Sequence, residues 1–312
     1  MAGSLGLTTR SSAAVTGAGA ISRGRLLLLS PALLTIVGFL VVPLVFILIY
    51  SFLTPGTYGG VEWVFSTDAY VQFLFERDLF SEDLLFSTAY LSIYGRSFVQ
   101  AVAATVICFI IGFPTAYFIA TRPPSQRTAW VFLITVPYWI NLLIRTVSML
   151  FIIRDQGPIN HALIGMGLTS EPIRMAYTNF GVGLGLVYSY LPFMVLPIYA
   201  SLERFDFRLM EAAYDLYSDR WTILRKIVLP ITRPGIIAGS LLVFIPSLRS
   251  FIAPDLLGGG KNLMIGNLVA LQFQGSRNWP FGSAAAVILM DVVLIALMIF
   301  VRQQLRQRVR TN

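Results

Sequence analysis

EAAYDLYSDRWTILRKIVLP, residues 211–230, is a polar island in an oily chain. It mixes acids, bases, a Trp and small residues, and long apolar runs flank it. Two helical patterns run through it. Phe207, Met210, Tyr214 and Tyr217 recur at helical spacing, with Asp206 placed as the N-cap. Trp221, Leu224 and Val228 recur likewise, with Ser218 or Asp219 as a second cap. Arg225 and Lys226 fall in the last turns, where cations suit the helix dipole, and Pro230 stops the helix or marks the start of the next span. The pattern predicts a short helix–turn–helix outside the bilayer. It serves either as an interfacial link between two spans or as a helix that docks in a partner's groove. For docking, small Ala212 and Ala213 permit close approach and the mixed charges fix register.

The surrounding chain sets that island in a membrane. Its 312 residues are 56% hydrophobic and only 12% charged. Soluble domains are typically about 45–50% apolar and about 25% charged. The expected fold is an all-α polytopic membrane protein with six spans, at 26–52, 96–120, 129–153, 180–202, 235–252 and 281–301. The helix pair then lies between the fourth and fifth spans. The first run exceeds the roughly 7–15 residues of a signal-peptide core, and a packed bundle tolerates its Pro31 and Pro43. Residues 1–25 read as a flexible basic tail, 26–301 as the membrane domain and 302–312 as a second basic tail.

The net charge of +8 points to topology rather than to nucleic acid. One side collects Arg10, Arg23, Arg25, Arg122, Arg127, Arg204, Arg208, Arg220, Arg225, Lys226, Arg233 and the arginines from Arg302 to Arg310. The other holds Arg77, Arg154, Arg174, Lys261 and Arg277. Both termini and residues 203–234 are therefore expected in the cytoplasm. The segment 53–95, acidic through Glu62, Asp68, Glu76, Asp78, Glu82 and Asp83, faces outward with 154–179 and 253–280.

Catalytic chemistry finds little to use. A single Cys108 in an apolar run and a single loop His161 give neither a disulfide framework nor a metal cluster. The sequence holds no P-loop, zincin or nucleophile-elbow motif. Polar residues inside the spans are the informative ones, because a charge at mid-membrane costs about 2.5–3.5 kcal/mol on insertion scales. Arg96 and Arg249 lie near outer ends and can snorkel. Arg145 and Asp291 lie deeper and either pair or line a water-filled path. Tyr138, Trp139 and Asn141 in the third span, with Tyr188, Tyr190 and Phe193 in the fourth, are either packing residues or an aromatic lining for a cationic substrate. Asp255 is the acid best placed for an outward vestibule. GVGLG at 181–185, with Gly235, Ala238 and Gly239, offers small faces for close helix packing.

Glu-Ala-Ala at 211–213, with Ile227, Leu229 and Pro230 downstream, resembles the EAA motif of permease subunits of binding-protein-dependent ABC importers. Further stretches look like the spermidine/putrescine permease group: VPYWINLLIR (136–145), GLVYSYLPFMVLPIYASLE (185–203), LPITRPGIIAGSLLVFIPSL (229–248), GGGKNLMIGNLVALQF (258–273) and WPFGSA (279–284). The resemblance implies a subunit in a bacterial inner membrane that couples to an ABC ATPase dimer through Glu211, Ala212, Ala213, Asp215 and Tyr217. It implies a second permease subunit, an extracytoplasmic substrate-binding protein and surrounding lipid as partners. ATP and Mg then belong to the ATPase, and this chain holds no cofactor of its own. Opines or other cationic amines are alternative cargoes. A secondary transporter or channel is the rival class, and the helix pair would be surplus in it. The family pattern places Gly four residues after the second Ala, where this chain has Tyr217. Either the turn is reshaped around Ser218 or Tyr217 packs against the partner.

Overall fold

The computed structural model describes residues 23–77 and 84–311. The chain divides into two compact units, Met1–Phe46 and Ile47–Asn312. The expected N-terminal tail, through residue 22, and the acids Asp78, Glu82 and Asp83 lie outside the described residues.

The first membrane helix joins α1 (Arg23–Ile36) to α2 (Val42–Tyr50) through a wide π turn, Val37–Val41. That turn comes just before Pro43, whose ring would clash with a carbonyl of the preceding turn in a regular α-helix. No part of its apolar stretch, Leu29–Tyr50, is buried.

An outlying segment follows. Strands β1 (Leu53–Pro55) and β2 (Val61–Phe65) pair antiparallel, α3 spans Asp68–Leu74, and β3 (Phe75–Arg77) pairs antiparallel with β4 (Leu84–Phe86). These ribbons are a local addition to the expected helical fold. The long helix α4 (Ala89–Ala120) comes next, then α5 (Pro124–Thr135), a 3-10 turn at Val136–Trp139, α6 (Leu142–Ile153) and α7 (Pro158–Gly165). The rest comprises α8 (Asn179–Glu203), α9 (Arg208–Asp215), α10 (Arg220–Ile223), a π turn at Leu224–Val228, α11 (Leu229–Leu248), α12 (Ile252–Gly258), α13 (Ile265–Gln274) and α14 (Trp279–Thr311).

Helices α4, α8 and α11 form the central packing unit. In lipid, helices associate by close packing rather than by apolar transfer, so small residues belong at the seams. The buried stripe of α4 obeys this rule with Ser97, Ala101, Ala104, Cys108, Gly112 and Ala116 at helical spacing. Gly235 is the tightest point of the α8–α11 crossing, where a Cβ would fall 2.4 Å from the Pro197 carbonyl oxygen. Cys108 is fully buried and its thiol faces the Val187 carbonyl at 3.7 Å.

Polar bonds tie each end of this unit. At one end Arg96 Nη1 donates to the Lys261 carbonyl at 3.2 Å, Gln100 Nε2 to the Asn179 carbonyl at 3.0 Å, and Ile265 N to Ser97 Oγ at 2.9 Å. Arg96 thus caps a neighbouring carbonyl instead of merely snorkelling. At the other end the Tyr117 hydroxyl meets Met210 Sδ at 3.8 Å, which anchors α9 beside the close of α4.

Among the described residues, five helices are long and apolar enough to cross a membrane, or six if one bent pair counts as a single span. Two expectations need correction. The third span is broken: Pro124–Trp139 and Leu142–Gly165 meet at 92°. The second helix of the polar segment and the helix of the fifth span, expected as separate, form one continuous helix, Arg220–Leu248. Pro230 does not stop it, because the Leu224–Val228 π turn widens the helix just upstream and absorbs the ring, as its counterpart does before Pro43. The expected basic C-terminal tail continues α14 as helix through Thr311.

Candidate functional site

The helix pair is built as the sequence suggests, with one shift. Asp206 Oδ1 accepts from Arg208 N at 3.0 Å, while Phe207 occupies the cap position of α9. Asp219 caps α10 by accepting from Trp221 N and Thr222 N, both at 3.1 Å. Hydrogen bonds from Thr222 hold the Asp219 carboxyl below its ordinary pKa, with Trp221 N adding to the effect.

The turn between α9 and α10 is the one the family pattern expects, made with the wrong residue. Tyr217 has φ +56, in the left-handed region. Ser218 N donates to the Ala213 carbonyl at 3.0 Å and Tyr217 N to the Tyr214 carbonyl at 2.9 Å, which closes a Schellman turn. The backbone has kept glycine's conformation under a tyrosine, at a cost of about 1–2 kcal/mol. Among the described residues nothing covers the ring, which is 99% exposed.

The apolar face expected of α9 divides in two. Phe207 and Met210 pack on the core, as do Leu224 and Ile227 beyond the turn. Tyr214, Leu216, Tyr217 and Trp221 stay open around the turn. Glu211, Ala212 and Asp215 are exposed beside them, whereas Ala213 is buried. Ala213 therefore seats α9 on its own protein and Ala212 faces outward.

A second cluster forms at the break in the third span. Asn141 starts α6 by accepting from Leu143 N through Oδ1 at 2.8 Å, which fixes the corner as a helix start. The corner turns Tyr138 toward α8, where its hydroxyl donates to the Ser189 carbonyl. Its ring meets Phe193 edge-on at 4.9 Å. Arg145, one turn into α6, folds back with its guanidinium 4.6 Å from the Tyr138 ring centre and 5.7 Å from that of Tyr188. Its Nη1 donates to the Pro137 carbonyl at 3.4 Å, while its Nε, buried, has no partner. Aromatic faces thus stand where a counter-ion would be, and the group is only 7% exposed.

The remaining candidates are scattered. Trp139 points away, 75% exposed, and meets Phe132 edge-on at 5.4 Å. Arg249 caps the end of α11 and Asp255 lies on α12, both exposed. Tyr190 connects the cluster toward that end through a 3.3 Å bond to the Pro246 carbonyl. Asp291 is exposed on α14, whose main neighbours are α13 and α3, and it does not pair with Arg145.

Sequence reasoning missed one assembly. A cavity of about 930 Å3 opens where the end of α6, the start of α8 and the end of α12 converge. Arg154, Arg174 and Lys261 line it, together with Asp155, Gln156 and Tyr177. These residues come from three separate stretches of the chain, so no local pattern announces them.

A polar helical turn between long apolar helices is the layout of a membrane permease of the importer type. The chain belongs to the family described as binding-protein-dependent transport system inner membrane component, whose model matches residues 85–311. Over 274 residues it is 39% identical to the spermidine/putrescine transport system permease protein PotB of Escherichia coli (strain K12), covering 86% of this chain and 95% of that one. It is also 34% identical over 128 residues to the PotC permease protein of the same system in that organism, covering 36% of this chain and 48% of that one. Among solved structures, a chain in the bacterial alginate ABC transporter complexed with its alginate pentasaccharide-bound periplasmic protein superimposes with a TM-score of 0.64 at 17% identity, covering 88% of this chain and 91% of that one. That likeness concerns the fold.

Proposed function

We propose that this chain is one permease subunit of an ABC importer that carries polyamines such as spermidine and putrescine. The likeness to a polyamine permease along most of the chain carries the substrate assignment. Similarity to two different permeases of one system supports a heterodimer with a second permease. Both termini and the 203–234 segment lie in the cytoplasm, because Lys and Arg concentrate on that side. The loops around α7, α12 and α13 then face outward and receive the loaded binding protein.

ATP and Mg are bound and turned over in the partner ATPase dimer. The open patch of Tyr214, Leu216, Tyr217 and Trp221, edged by Glu211, Ala212 and Asp215, is the docking face for that dimer. Its chemistry suits a groove: apolar anchors in the centre and acids on the rim. Because α10 runs without a stop into the fifth span, a push on the turn reaches the membrane core directly. The Tyr138, Arg145, Tyr188 and Phe193 cluster flanks the path, with Trp139 and Asn141 at its corner and Arg249 and Asp255 toward the outer end. Asp291 stands apart from it.

Proteoliposomes holding this chain, its second permease and the ATPases test the reading, with spermidine-loaded binding protein outside. Uptake should require ATP and all four components. Glu211→Lys should cut uptake about tenfold or more while the chain still inserts, since a reversed rim charge opposes docking. Uptake by this chain without ATPase would overturn the importer reading. Uptake of an opine in place of spermidine would overturn the cargo.

A further inference from the structure

We infer that the cavity lined by Arg154, Arg174 and Lys261 is an anion-accepting socket for a carboxylate-bearing loop of the extracytoplasmic binding protein. This rests on reading the chain as an importer permease with that face outward.

Three observations carry it. The first is economy of charge. A positive-inside membrane protein keeps few bases on its outer side. This chain has five there, Arg77, Arg154, Arg174, Lys261 and Arg277, and three of them line one cavity. Bases retained against the topological trend, and gathered from three separate segments, have a local task.

The second is sign. The cavity carries three cations against one acid, Asp155. A polyamine is itself cationic and is repelled there, so the cavity is not a waiting room for cargo. It selects an anion.

The third is construction. The cavity wall is fixed. Tyr177 is held at φ +60 with its ring over Gly259, where a Cβ would fall 2.8 Å from Tyr177 Cδ1. Gly259 itself has φ +61, and Asn262 Nδ2 donates to the Tyr177 carbonyl at 3.5 Å. The Lys261 carbonyl is tied to Arg96 at 3.2 Å. A shaped socket of about 930 Å3 admits a loop with a few side chains, not a domain.

The anion belongs to a protein rather than to a lipid. Asp155 and Gln156 lie in the lining beside the bases. A carboxylate there repels a lipid phosphate but pairs with a base next to the incoming acid. That mixed pattern fixes the register of a peptide segment. The socket is also lined chiefly by residues beyond the last turn of α6 and before the first turn of α8, with Leu150 and Phe151 of α6 the part that a span contributes.

The test uses the complete importer in lipid nanodiscs and its spermidine-loaded binding protein, with association followed by interferometry at low and high salt. Wild type should bind faster at low salt. The triple variant R154E/R174E/K261E should bind about tenfold more weakly or worse and lose most of the salt dependence. Should the triple variant fail to assemble, R174Q and K261Q separately should each slow association at low salt. Equal affinity of wild type and assembled variants overturns the socket and leaves the importer reading standing. Failure of wild type to bind any loaded binding protein overturns the importer reading itself. If the variants instead lose retention of phosphatidylglycerol while holding the binding protein normally, the site is a lipid site and the inference is wrong.

Discussion

Two tyrosines in this protein hold a backbone conformation that favours glycine, and they sit at opposite ends of the helical unit. Tyr177 rims the cavity between α6, α8 and α12, and Tyr217 turns the chain between α9 and α10. Their strain is alike, but its compensation is not. Around Tyr177 the protein supplies support: the ring rests on Gly259 and Asn262 holds the carbonyl. Around Tyr217, among the described residues, backbone bonds alone help and the ring stands 99% exposed. Strain that is offset within the chain shapes a cavity. Strain that is not offset among the described residues, as at Tyr217, is where the docking proposed above would supply the missing contact.

The largest effect should come from removing the internal support. Gly259→Val sets a β-branched residue at φ +61 and drives its side chain into the Tyr177 ring, a loss of about 2–3 kcal/mol. Thermal unfolding of the purified importer should fall by several degrees. An unchanged midpoint would mean that the two tyrosines are not distinguished by their support.

Tyr217→Gly cuts the other way. Relief of the left-handed strain should stabilise the turn by about 1 kcal/mol. Loss of the ring should weaken ATPase association by about 1–2 kcal/mol, read as a slower spermidine uptake and a weaker titration of the permease pair with ATPase. Stability and coupling should therefore move in opposite directions. Near-normal uptake would show that any residue able to make the turn suffices.

The smallest effect concerns Asp219. Its pKa is depressed in the folded state, so its contribution is present above the ordinary carboxylate pKa and fades as pH falls through the lowered one. Hydrogen exchange at the Trp221 and Thr222 amides should stay slow near neutral pH and speed up in acid. Asp219→Asn keeps an acceptor and should flatten that dependence. Acid-insensitive exchange in wild type would remove Asp219 from the account.

How far the sequence reveals all this depends on distance along the chain. The turn was legible because its caps, its Ala pair and its displaced glycine lie within about one dozen residues. The span count was legible from long apolar runs. The corner at Asn141 was not, because WINLLIR is apolar enough to read as continuous helix while Pro137 and the Asn141 cap divide it. The same folding back brings Arg145 onto Tyr138, and no helical spacing predicts a contact made across a 92° bend. The ribbons of β1–β4 escaped for a different reason. Their strands are three to five residues long, too short for an alternating pattern to declare itself.

The π turn at Leu224–Val228 gives the helix Arg220–Leu248 one surplus residue. In a regular α-helix each residue advances the chain by about 100° around the axis. Ironing that surplus out would swing Trp221 and everything before it about that far around the rod, with little travel along it. The shaft that joins the turn to the bilayer thus has a ratchet tooth near its grip. A rod without that surplus would present its end at another azimuth, and Pro230 lies just past the tooth, where a regular α-helix would clash with its ring.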